Sequence, residues 1–459
     1  MTELAHAARR AEAWLEALSD RPVAATASHT ELKHALSVDL PEHGEAFPDV
    51  LEVLLGDAER GLIGSGSPRF FGWVIGGTHP AALAADWLTS AFDQNVAIYQ
   101  TAPMAAVAEE IAGRWLKQLL GLPEEASFAM VTGCQMAHFT ALAAARHRVL
   151  ARKGVDVERD GLFAAPRVRV LTGAHRHESL IRALRFLGLG SDCVRLVDLD
   201  TQGRMDMGHL ARVLDEEPDA PTILCLMAGD LNTGAADPFA EACALAHAAG
   251  AWVHVDGAFG LWMRAGSDGA NALPGCELAD SWATDGHKWL QLPFDTGFSF
   301  VRDEQAHQAA MTMTATYLPQ ADGAGRDPMR FNPEWSRRAR GIVTYVALRC
   351  MGQEAIARIV DECCRHARNL VDGLGAIEGV EVVAPARMNQ GLVRFLDVHG
   401  DHDAHTDRMI AAIQAEGTAW FGGTTWKGVR AMRISVCNYR TTDADVDATI
   451  RAVRRVVAG

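Results

Sequence analysis

Short apolar runs alternate with longer amphipathic stretches through the middle of the chain, from about residue 85 to residue 300. The runs have the length of strands, and the stretches between them have helical spacing. We expect strands over residues 127–132, 167–172, 222–227, 251–255 and 297–301, and helices over 105–120 and 239–249. This alternation indicates an α/β domain with a mostly parallel sheet and helices on both faces.

The two ends of the chain have a different pattern. Apolar residues recur at helical spacing near the N-terminus, at Leu4, Ala8, Ala11, Leu15 and Leu18. Residues 1–64 are therefore expected to be helical, with an apolar face that packs on a partner subunit or back on its own chain. A polar stretch over 319–334 predicts a loop. A long helical run and short strands then predict a small C-terminal α/β domain over 346–459, which leaves residues 65–345 for the large domain.

Composition narrows the class of protein. The chain has 459 residues, enough for two or three domains, and its 58 acidic and 43 basic residues give a net charge of −15. This charge argues against a nucleic-acid partner, because phosphate backbones attract basic surfaces. No apolar stretch approaches the ~20 residues that span a bilayer, and the N-terminus does not resemble a secretory signal. With nine irregularly spaced cysteines, these features predict a cytoplasmic protein without a membrane partner.

Polar groups follow the expected strands at the edge where α/β sheets form their sites. They are Gly133-Cys134-Gln135, His177, Asp256 and the pair His287-Lys288. Each group also has an ordinary structural explanation: a common strand–glycine–helix turn, a core histidine, an acid paired with an arginine, and a surface lysine.

The four groups together match one cofactor. Lys288 stands next to Trp289 in apolar surroundings, where we expect its pKa to fall and its amine to become a nucleophile suited to a Schiff base. Asp256 ends an apolar strand and needs a positive partner such as a cationic ring nitrogen. The turn at Gly133 offers helix N–H groups to a phosphate, and His177 offers a flat ring. The combination specifies pyridoxal 5′-phosphate (PLP).

Longer motifs carry a family resemblance. They are HVDGAFG (254–260), ADSWATDGHKWL (279–290), HESLIRAL (177–184), NTGAADP (232–238) and SPRFFGWVIGGTHPAALAADWL (67–88), and similarity runs from about residue 65 to residue 440. The chain resembles the group II PLP-dependent decarboxylases, which include the aromatic amino-acid and glutamate decarboxylases. The resemblance implies a fold-type I enzyme with a mostly parallel seven-stranded sheet flanked by helices in its large domain and a small C-terminal α/β domain. It also implies a homodimer with active sites at the interface and the N-terminal segment on the partner.

The resemblance also implies roles for single residues. Lys288 would form the internal aldimine, Asp256 would keep the pyridine nitrogen protonated, and His177 would stack on the ring face opposite Ala258. The phosphate would be held by Gly133, Cys134 and Gln135, with Thr284 and His287 nearby. The substrate pocket would be lined by Trp73, Val74, Gly76, Tyr317 and Phe331. The implied reaction is amino-acid decarboxylation: an external aldimine loses CO₂ from Cα, and the quinonoid is reprotonated to an amine.

Departures from the family pattern keep other functions open. Many members carry a tyrosine in the loop that is thought to protonate Cα, but the segment ADGAGRDPMRFNPEW (321–335) has only Phe331, which cannot donate a proton. Tyr317, just before it, is a possible donor. A same-fold enzyme with another quinonoid fate, such as an aldehyde synthase, aminotransferase or lyase, is therefore an alternative. A degenerate, non-catalytic member is a further alternative, against which the intact Lys288, Asp256 and His177 argue.

Two further departures concern charge at the site. Asp285 stands where relatives often have a neutral side chain, and a carboxylate there would repel a phosphate unless an arginine or histidine intervenes. His138 stands where an asparagine is common. No metal site is expected, because the acidic turn from His399 to His405 is interpreted as a solvated loop.

Overall fold

The structure is a computed structural model that describes residues 2–313 and 325–459. These residues form two compact units, one of residues 78–364 and one of residues 2–77 together with 365–459. The helices are α1 (Glu3–Ala17), α2 (His29–Leu36), α3 (Phe47–Leu55), α4 (Pro80–Phe92), α5 (Pro103–Leu119), α6 (Cys134–Ala151), α7 (Val157–Asp160), α8 (Glu178–Phe186), α9 (Met207–Glu216), α10 (Phe239–Ala248), α11 (Glu304–Met311), α12 (Arg340–Gly375), α13 (His402–Glu416) and α14 (Asp443–Ala458). The strands are β1 (Ser127–Val131), β2 (Arg169–Gly173), β3 (Val194–Val197), β4 (Thr222–Met227), β5 (Trp252–Asp256), β6 (Ser281–Asp285), β7 (Gly297–Val301), β8 (Val380–Arg387), β9 (Gln390–Phe395), β10 (Gly422–Trp426) and β11 (Val429–Ser435).

The unit of residues 78–364 is built on a seven-stranded sheet in the order β1-β7-β6-β5-β4-β2-β3. Strand β7 runs antiparallel to β1 and β6, and the other neighbouring pairs are parallel. The predicted mostly parallel α/β sheet is therefore confirmed. Strand β3 was not predicted, because its sequence VRLV lies at the sheet edge with two exposed residues and forms no continuous apolar run.

Pairing with β7 brings the ends of two distant strands together. Val131 at the end of β1 and Asp285 at the end of β6 both pair with Gly297, one on each side of β7. The turn after β1 therefore starts next to the end of β6. A Cβ on Gly297 would lie 2.5 Å from backbone atoms of Gly133, so only glycine allows this approach.

The second unit contains an antiparallel four-stranded sheet in the order β10-β11-β9-β8. Helix α13 packs on β9 and β11, and α14 packs on α13. The N-terminal helices α1, α2 and α3 have no buried residues. Apolar side chains on their surfaces, among them Leu4, Val50, Val53 and Leu54, are exposed in the single chain.

Two other features bear on stability and topology. Glu109 on α5 is fully buried and pairs with Arg337 at 2.9 Å and with Arg326 at 3.4 Å. Helix α12 is broken at Gly352, whose φ of 67° lies in the left-handed region.

In the part of the chain that the structure describes, no helix has the length and hydropathy needed to cross a membrane.

Candidate active site

Lys288 lies three residues beyond the end of β6, and its Nζ is 2.9 Å from Oδ2 of Asp285. The expectation that the pKa of Lys288 falls is wrong. Burial does lower the pKa, but the charge and hydrogen bond of Asp285, with further contributions from Cys134 and Asp256, outweigh burial and raise it. The apolar neighbourhood was predicted correctly, since Trp289 and Leu290 are buried, but the sequence motif does not show that the carboxylate turns toward the amine.

The turn at Gly133 leads directly into α6. The N–H of Cys134 donates to Oδ1 of Asp285 at 2.6 Å, so this carboxylate caps the helix. The first N–H groups of a helix have no acceptor within the helix and attract anions. Gln135, next in the turn, accepts from Arg182 at 3.3 Å through its Oε1. The site thus has an anion-binding helix terminus, but a carboxylate of the chain itself already contacts it.

Asp256 ends β5, the strand next to β6, and is almost fully buried. Its Oδ1 accepts from the N–H of Ala258 at 3.2 Å, and its Oδ2 lies 3.4 Å from Nε2 of His138. Burial alone would raise the pKa of Asp256, but His138 and then His177 outweigh burial and hold it well below its usual range. The carboxylate is therefore ionised and available to a positive group.

Cys134, His138 and Asp256 offer donor atoms within 4.8 Å of one another, a spacing that a metal ion could also bridge. Burial, followed by the charges of Asp256 and Asp285, raises the pKa of the Cys134 thiol well above its ordinary value. The three side chains also contact one another directly, with the thiol 3.4 Å from Nε2 of His138 and 3.9 Å from Oδ1 of Asp256.

His177 caps α8, where its Nδ1 accepts from the N–H of Ser179 at 3.1 Å. His177 is exposed in the single chain, but the protein atoms around its imidazole still remove part of its solvation. This partial burial lowers the pKa of His177 and favours the neutral ring. His287 also has a pKa lowered by burial, and its Nε2 lies 3.4 Å from Oδ1 of Asp285. Thr284 is fully buried on β6 and donates to the carbonyl oxygen of Ala258 at 3.4 Å.

Three of the expected pocket residues, Trp73, Val74 and Gly76, belong to the unit that contains residues 2–77. Trp73 is 57% exposed, its ring centroid lies 4.5 Å from that of Trp420, and both Trp73 and Val74 have positive φ. Such φ values are uncommon outside glycine and often occur at functional turns.

The remaining two expected pocket residues are Tyr317 and Phe331. Tyr317 lies outside the described residues. Phe331 is buried in an apolar cluster with Cys134, Ala137 and Ala283, against which Ala258 packs. Arg326 lies over its ring at 4.1 Å. From Gly325 onward, the expected loop is thus a packed segment that reaches the surroundings of Cys134.

These side chains fit PLP by the chemistry of their donors. An amine that can carry an aldehyde, an ionised buried carboxylate for a ring nitrogen, and a helix terminus for a phosphate stand at the ends of β6, β5 and β1. Two members of the cluster were noted in the sequence only as departures, Asp285 and His138. His254, which contacts His138, was missed because it lies inside an apolar strand motif.

Comparison with known proteins agrees with this description. The sequence matches the pyridoxal-dependent decarboxylase conserved domain over residues 30–396. It is 27% identical over 446 residues to the aromatic-L-amino-acid decarboxylase of Bacillus atrophaeus, covering 94% of this chain and 89% of that protein. It is 29% identical over 384 residues to the L-2,4-diaminobutyrate decarboxylase of Rhizobium meliloti (strain 1021), covering 81% and 74%. A crystal structure of Oryza sativa TDC with PLP and tryptamine has a TM-score of 0.92 at 22% identity, covering 99% and 97%.

The fold and the match to the pyridoxal-dependent decarboxylase domain define an α/β enzyme of the PLP-dependent class. Since the family model covers most of the sequence, the chain belongs to the pyridoxal-dependent decarboxylase family. Its cofactor is PLP, and its activity is that of an amino-acid carboxy-lyase. The predicted family, fold class, cofactor and enzyme class are thereby confirmed.

Proposed function

We propose that the chain decarboxylates a bulky or aromatic L-amino acid at a centre built on Lys288, Asp256 and His177. The observation that carries these roles is the ionised Asp256 on β5, next to the strand that leads to Lys288. Bound PLP supplies an electron sink, which lets the bond between Cα and the carboxylate break. The side chains of the protein perform the other parts of the reaction.

Each side chain has a distinct part in this proposal. Lys288 would hold the cofactor aldehyde through its amine, and Asp256 would accept from the protonated ring nitrogen. His177 and Ala258 would lie against the ring. The turn of Gly133, Cys134 and Gln135 binds the phosphate through the N-terminus of α6, with Thr284 and His287 beside it.

An aromatic surface supports the assignment of the substrate class. Phe70 stacks on Trp420 with ring centroids 4.9 Å apart, and Trp73 lies tilted against Trp420 with centroids 4.5 Å apart. Trp73 is 57% exposed, and the family resemblance implies that it lines the substrate pocket. The aromatic-L-amino-acid decarboxylase of Bacillus atrophaeus, 27% identical, supports the same class.

The test is a substrate screen with the purified, PLP-loaded enzyme. CO₂ release is measured from the aromatic L-amino acids, from L-glutamate and cysteine sulfinate, and from 2,4-diaminobutyrate. Lys288→Ala should lose both CO₂ release and the visible absorbance band of the attached cofactor. Lys153→Ala, an exposed lysine after α6, should behave as wild type. Release from acidic substrates alone would overturn the substrate class, and release from none would overturn decarboxylation.

A second candidate follows from the missing tyrosine. Phe331 cannot donate a proton to Cα, and its ring is buried among apolar side chains. Without a proton donor, oxygen can intercept the electron-rich product of decarboxylation, as in an aldehyde synthase. Ammonia and peroxide are therefore measured beside CO₂. Their equimolar formation with CO₂ would replace amine synthesis by aldehyde synthesis as the function.

The proposal includes a cytoplasmic homodimer. Exposed apolar side chains on α1 and α3, including Leu4, Val50 and Val53, support a second copy as the cover of this face. None of the nine cysteines forms a disulfide in the described part of the chain, which supports a reducing compartment. Analytical ultracentrifugation tests the dimer: a monomer at micromolar concentration would refute it.

A further inference from the structure

A buried row of polar side chains leads away from Asp256 into the sheet. Nε2 of His138 lies 3.4 Å from Oδ2 of Asp256, and its Nδ1 lies 2.9 Å from Nε2 of His254. Nδ1 of His254 lies 2.9 Å from Oγ of Ser281, which accepts from Nε1 of Trp252 at 2.9 Å. Both histidines and the serine are fully buried. Four side chains thus form one unbroken chain of hydrogen bonds that ends on a carboxylate.

We infer that this chain of hydrogen bonds holds a proton on Nε2 of His138 against Asp256, so that His138 and His254 act as positioning residues that keep Asp256 a carboxylate. The inference rests on the proposed role of Asp256 as acceptor for the cofactor's ring nitrogen. It assigns a task to two histidines that the decarboxylation centre itself does not use.

The position of the proton follows from the chemistry of each atom. The indole N–H of Trp252 can only donate, so Oγ of Ser281 accepts from it. If the Ser281 hydroxyl then donates to Nδ1 of His254, the proton of His254 is on Nε2 and is donated to His138. Nδ1 of His138 is then an acceptor, and the single proton of this ring is on Nε2, facing Asp256.

The opposite direction leads to the same end. If Nδ1 of His254 donates to Ser281, then Nε2 of His254 accepts from Nδ1 of His138. A bare Nε2 on His138 would then place a lone pair against the carboxylate of Asp256, which is repulsive, so this nitrogen also carries a proton. The two arrangements differ by one proton on His138, and both present an N–H to Asp256.

The surroundings support a polarised chain and not a pair of independent core histidines. Burial, with a smaller effect of His138, lowers the pKa of His254 to about 3, so His254 stays neutral and can pass the hydrogen bond in either direction. The titratable groups that act on Asp256 are His138 and Cys134 from α6, His177 before α8, Lys288 after β6 and His254 on β5 itself. Of these, His138 has the largest stabilising effect on the carboxylate, first through its charge and then through its side-chain hydrogen bond.

Without the N–H from His138, a buried carboxylate gains protons more easily because burial disfavours its charge. The proton shared between Asp256 and the cofactor's ring nitrogen would then move toward the carboxylate. A neutral ring nitrogen is a weaker electron sink. The chain of hydrogen bonds thus sets how strongly the ring withdraws electrons, although its far end is remote from the cofactor.

The test removes the hydroxyl of Ser281, far along the chain of hydrogen bonds, and measures the protonation of the cofactor's ring nitrogen directly. The enzyme is loaded with ¹⁵N-labelled PLP, and the chemical shift of the ring nitrogen is measured by NMR at about neutral pH without substrate. Ser281→Ala is compared with Ser299→Ala. Both serines are fully buried on adjacent strands, but Oγ of Ser299 makes no hydrogen bond among the described residues. Loss of the Ser281 hydroxyl weakens the polarisation that strengthens the hydrogen bond from His138 to Asp256. We therefore expect about a tenfold shift of the proton from nitrogen to Asp256 in Ser281→Ala, and none in Ser299→Ala.

Two more variants separate this role from simple packing. Ser281→Thr keeps the hydroxyl and should restore the wild-type nitrogen shift. Trp252→Phe removes the indole N–H together with part of the buried ring, and should give a smaller change of the nitrogen shift with the same sign. A purely structural role would lower the thermal midpoint in these variants and leave the nitrogen shift in place, which would overturn the inference.

Failure of this inference differs from failure of the proposed function. The ring nitrogen is read without turnover, so a shift in Ser281→Ala supports the chain of hydrogen bonds whichever substrate is used. An unprotonated nitrogen in the wild-type enzyme would overturn both the role of Asp256 and the inference. Equal nitrogen shifts in Ser281→Ala and Ser299→Ala, with a protonated nitrogen in wild type, would overturn the inference alone.

Discussion

Asp285→Asn should speed the attachment of PLP to Lys288. In the structure the carboxylate faces two groups that we propose bind the cofactor. Its Oδ2 lies 2.9 Å from Nζ of Lys288, and its Oδ1 accepts from the N–H of Cys134 at 2.6 Å. Asparagine has nearly the same shape and can still accept from Cys134. It removes the negative charge from both contacts.

The effect on Lys288 can be estimated from the distance. Two unit charges 2.9 Å apart attract by about 1.4 kcal/mol in bulk water and by about 6 kcal/mol at an effective dielectric constant of about 20. Since Lys288 is 19% exposed and Asp256 still faces it, we take the lower figure. About 1.4 kcal/mol is tenfold in an equilibrium. The ratio of neutral amine to ammonium should therefore rise at least about tenfold, and only the neutral amine attacks an aldehyde.

Removal of the negative charge of Asp285 should also favour binding of the cofactor's phosphate. A phosphate that approaches the N-terminus of α6 meets the carboxylate that caps Cys134. His287 lies 3.4 Å from the same oxygen. Burial lowers the pKa of His287, so its ring is neutral and does not compensate the negative charge of Asp285. Removal of one negative charge reduces the repulsion of a dianion. Both effects predict faster and tighter binding in Asp285→Asn.

The assay follows the visible absorbance band after PLP is mixed with cofactor-free enzyme. The rate constant is measured from about pH 6 to about pH 9, where we expect at least about a tenfold gain near neutral pH and a rate profile displaced to lower pH. Asp303→Asn is the matched control. Asp303 caps α11, where asparagine serves as well, and it lies beyond the end of β7 opposite to the one that pairs with Asp285.

Slower attachment in Asp285→Asn would refute the reasoning, since it would mean that the carboxylate positions the amine more than it holds its proton. An unchanged pH profile with faster attachment would assign the gain to the phosphate alone. In that case the raised pKa of Lys288 would have another cause.

Three more predictions test the fold around the site. Arg337→Leu should lower the free energy of unfolding by about 3 kcal/mol, because it leaves the buried Glu109 with one weaker partner. Urea unfolding measures this loss. The control is Arg338→Leu, which breaks a partly exposed ion pair with Asp86 worth less than about 1 kcal/mol. Gly297→Ala should cost about 1–3 kcal/mol and weaken PLP binding, since its Cβ would meet backbone atoms of the phosphate turn at 2.5 Å; unfolding and cofactor titration measure the two effects. Burial raises the pKa of Asp237 to about 6, above its unfolded value of 3.8, so the native state takes up a proton as the pH falls through 6; relative to Asp237→Asn, wild type should gain about 1.4 kcal/mol of stability per pH unit between about pH 6 and pH 4.

The sheet was predictable where burial is complete. Strands β4 and β7 begin and end at the predicted residues, because strands covered on both faces are continuous apolar runs. Strand β3, with exposed residues at the sheet edge, lacks that signal. The order of strands was not predictable, since the pairing of β1 with β7 joins segments that are far apart in the sequence.

The site was predictable as a set of motifs but not as a set of charges. Lys288, Asp256 and the turn at Gly133 were found at strand ends, and their surroundings support the proposed roles. The direction of the pKa of Lys288 was wrong, because it depends on the rotamer of Asp285 and not on the apolar neighbours that the sequence shows. His254 was missed because its partner His138 lies 116 residues earlier in the chain.

Two buried carboxylates at the ends of adjacent strands therefore have opposite tasks, set by what faces each one. Asp256 faces the imidazole of His138, which together with His177 stabilises its charge, so that Asp256 can accept from a cation. Asp285 faces the amine of Lys288 and a helix N-terminus, so that its charge is already compensated within the chain. A ligand with a cationic nitrogen at one end and an anion at the other meets an open partner at Asp256 and a competitor at Asp285. Removal of the charge at Asp285, and not at Asp256, should therefore control how readily the cofactor enters.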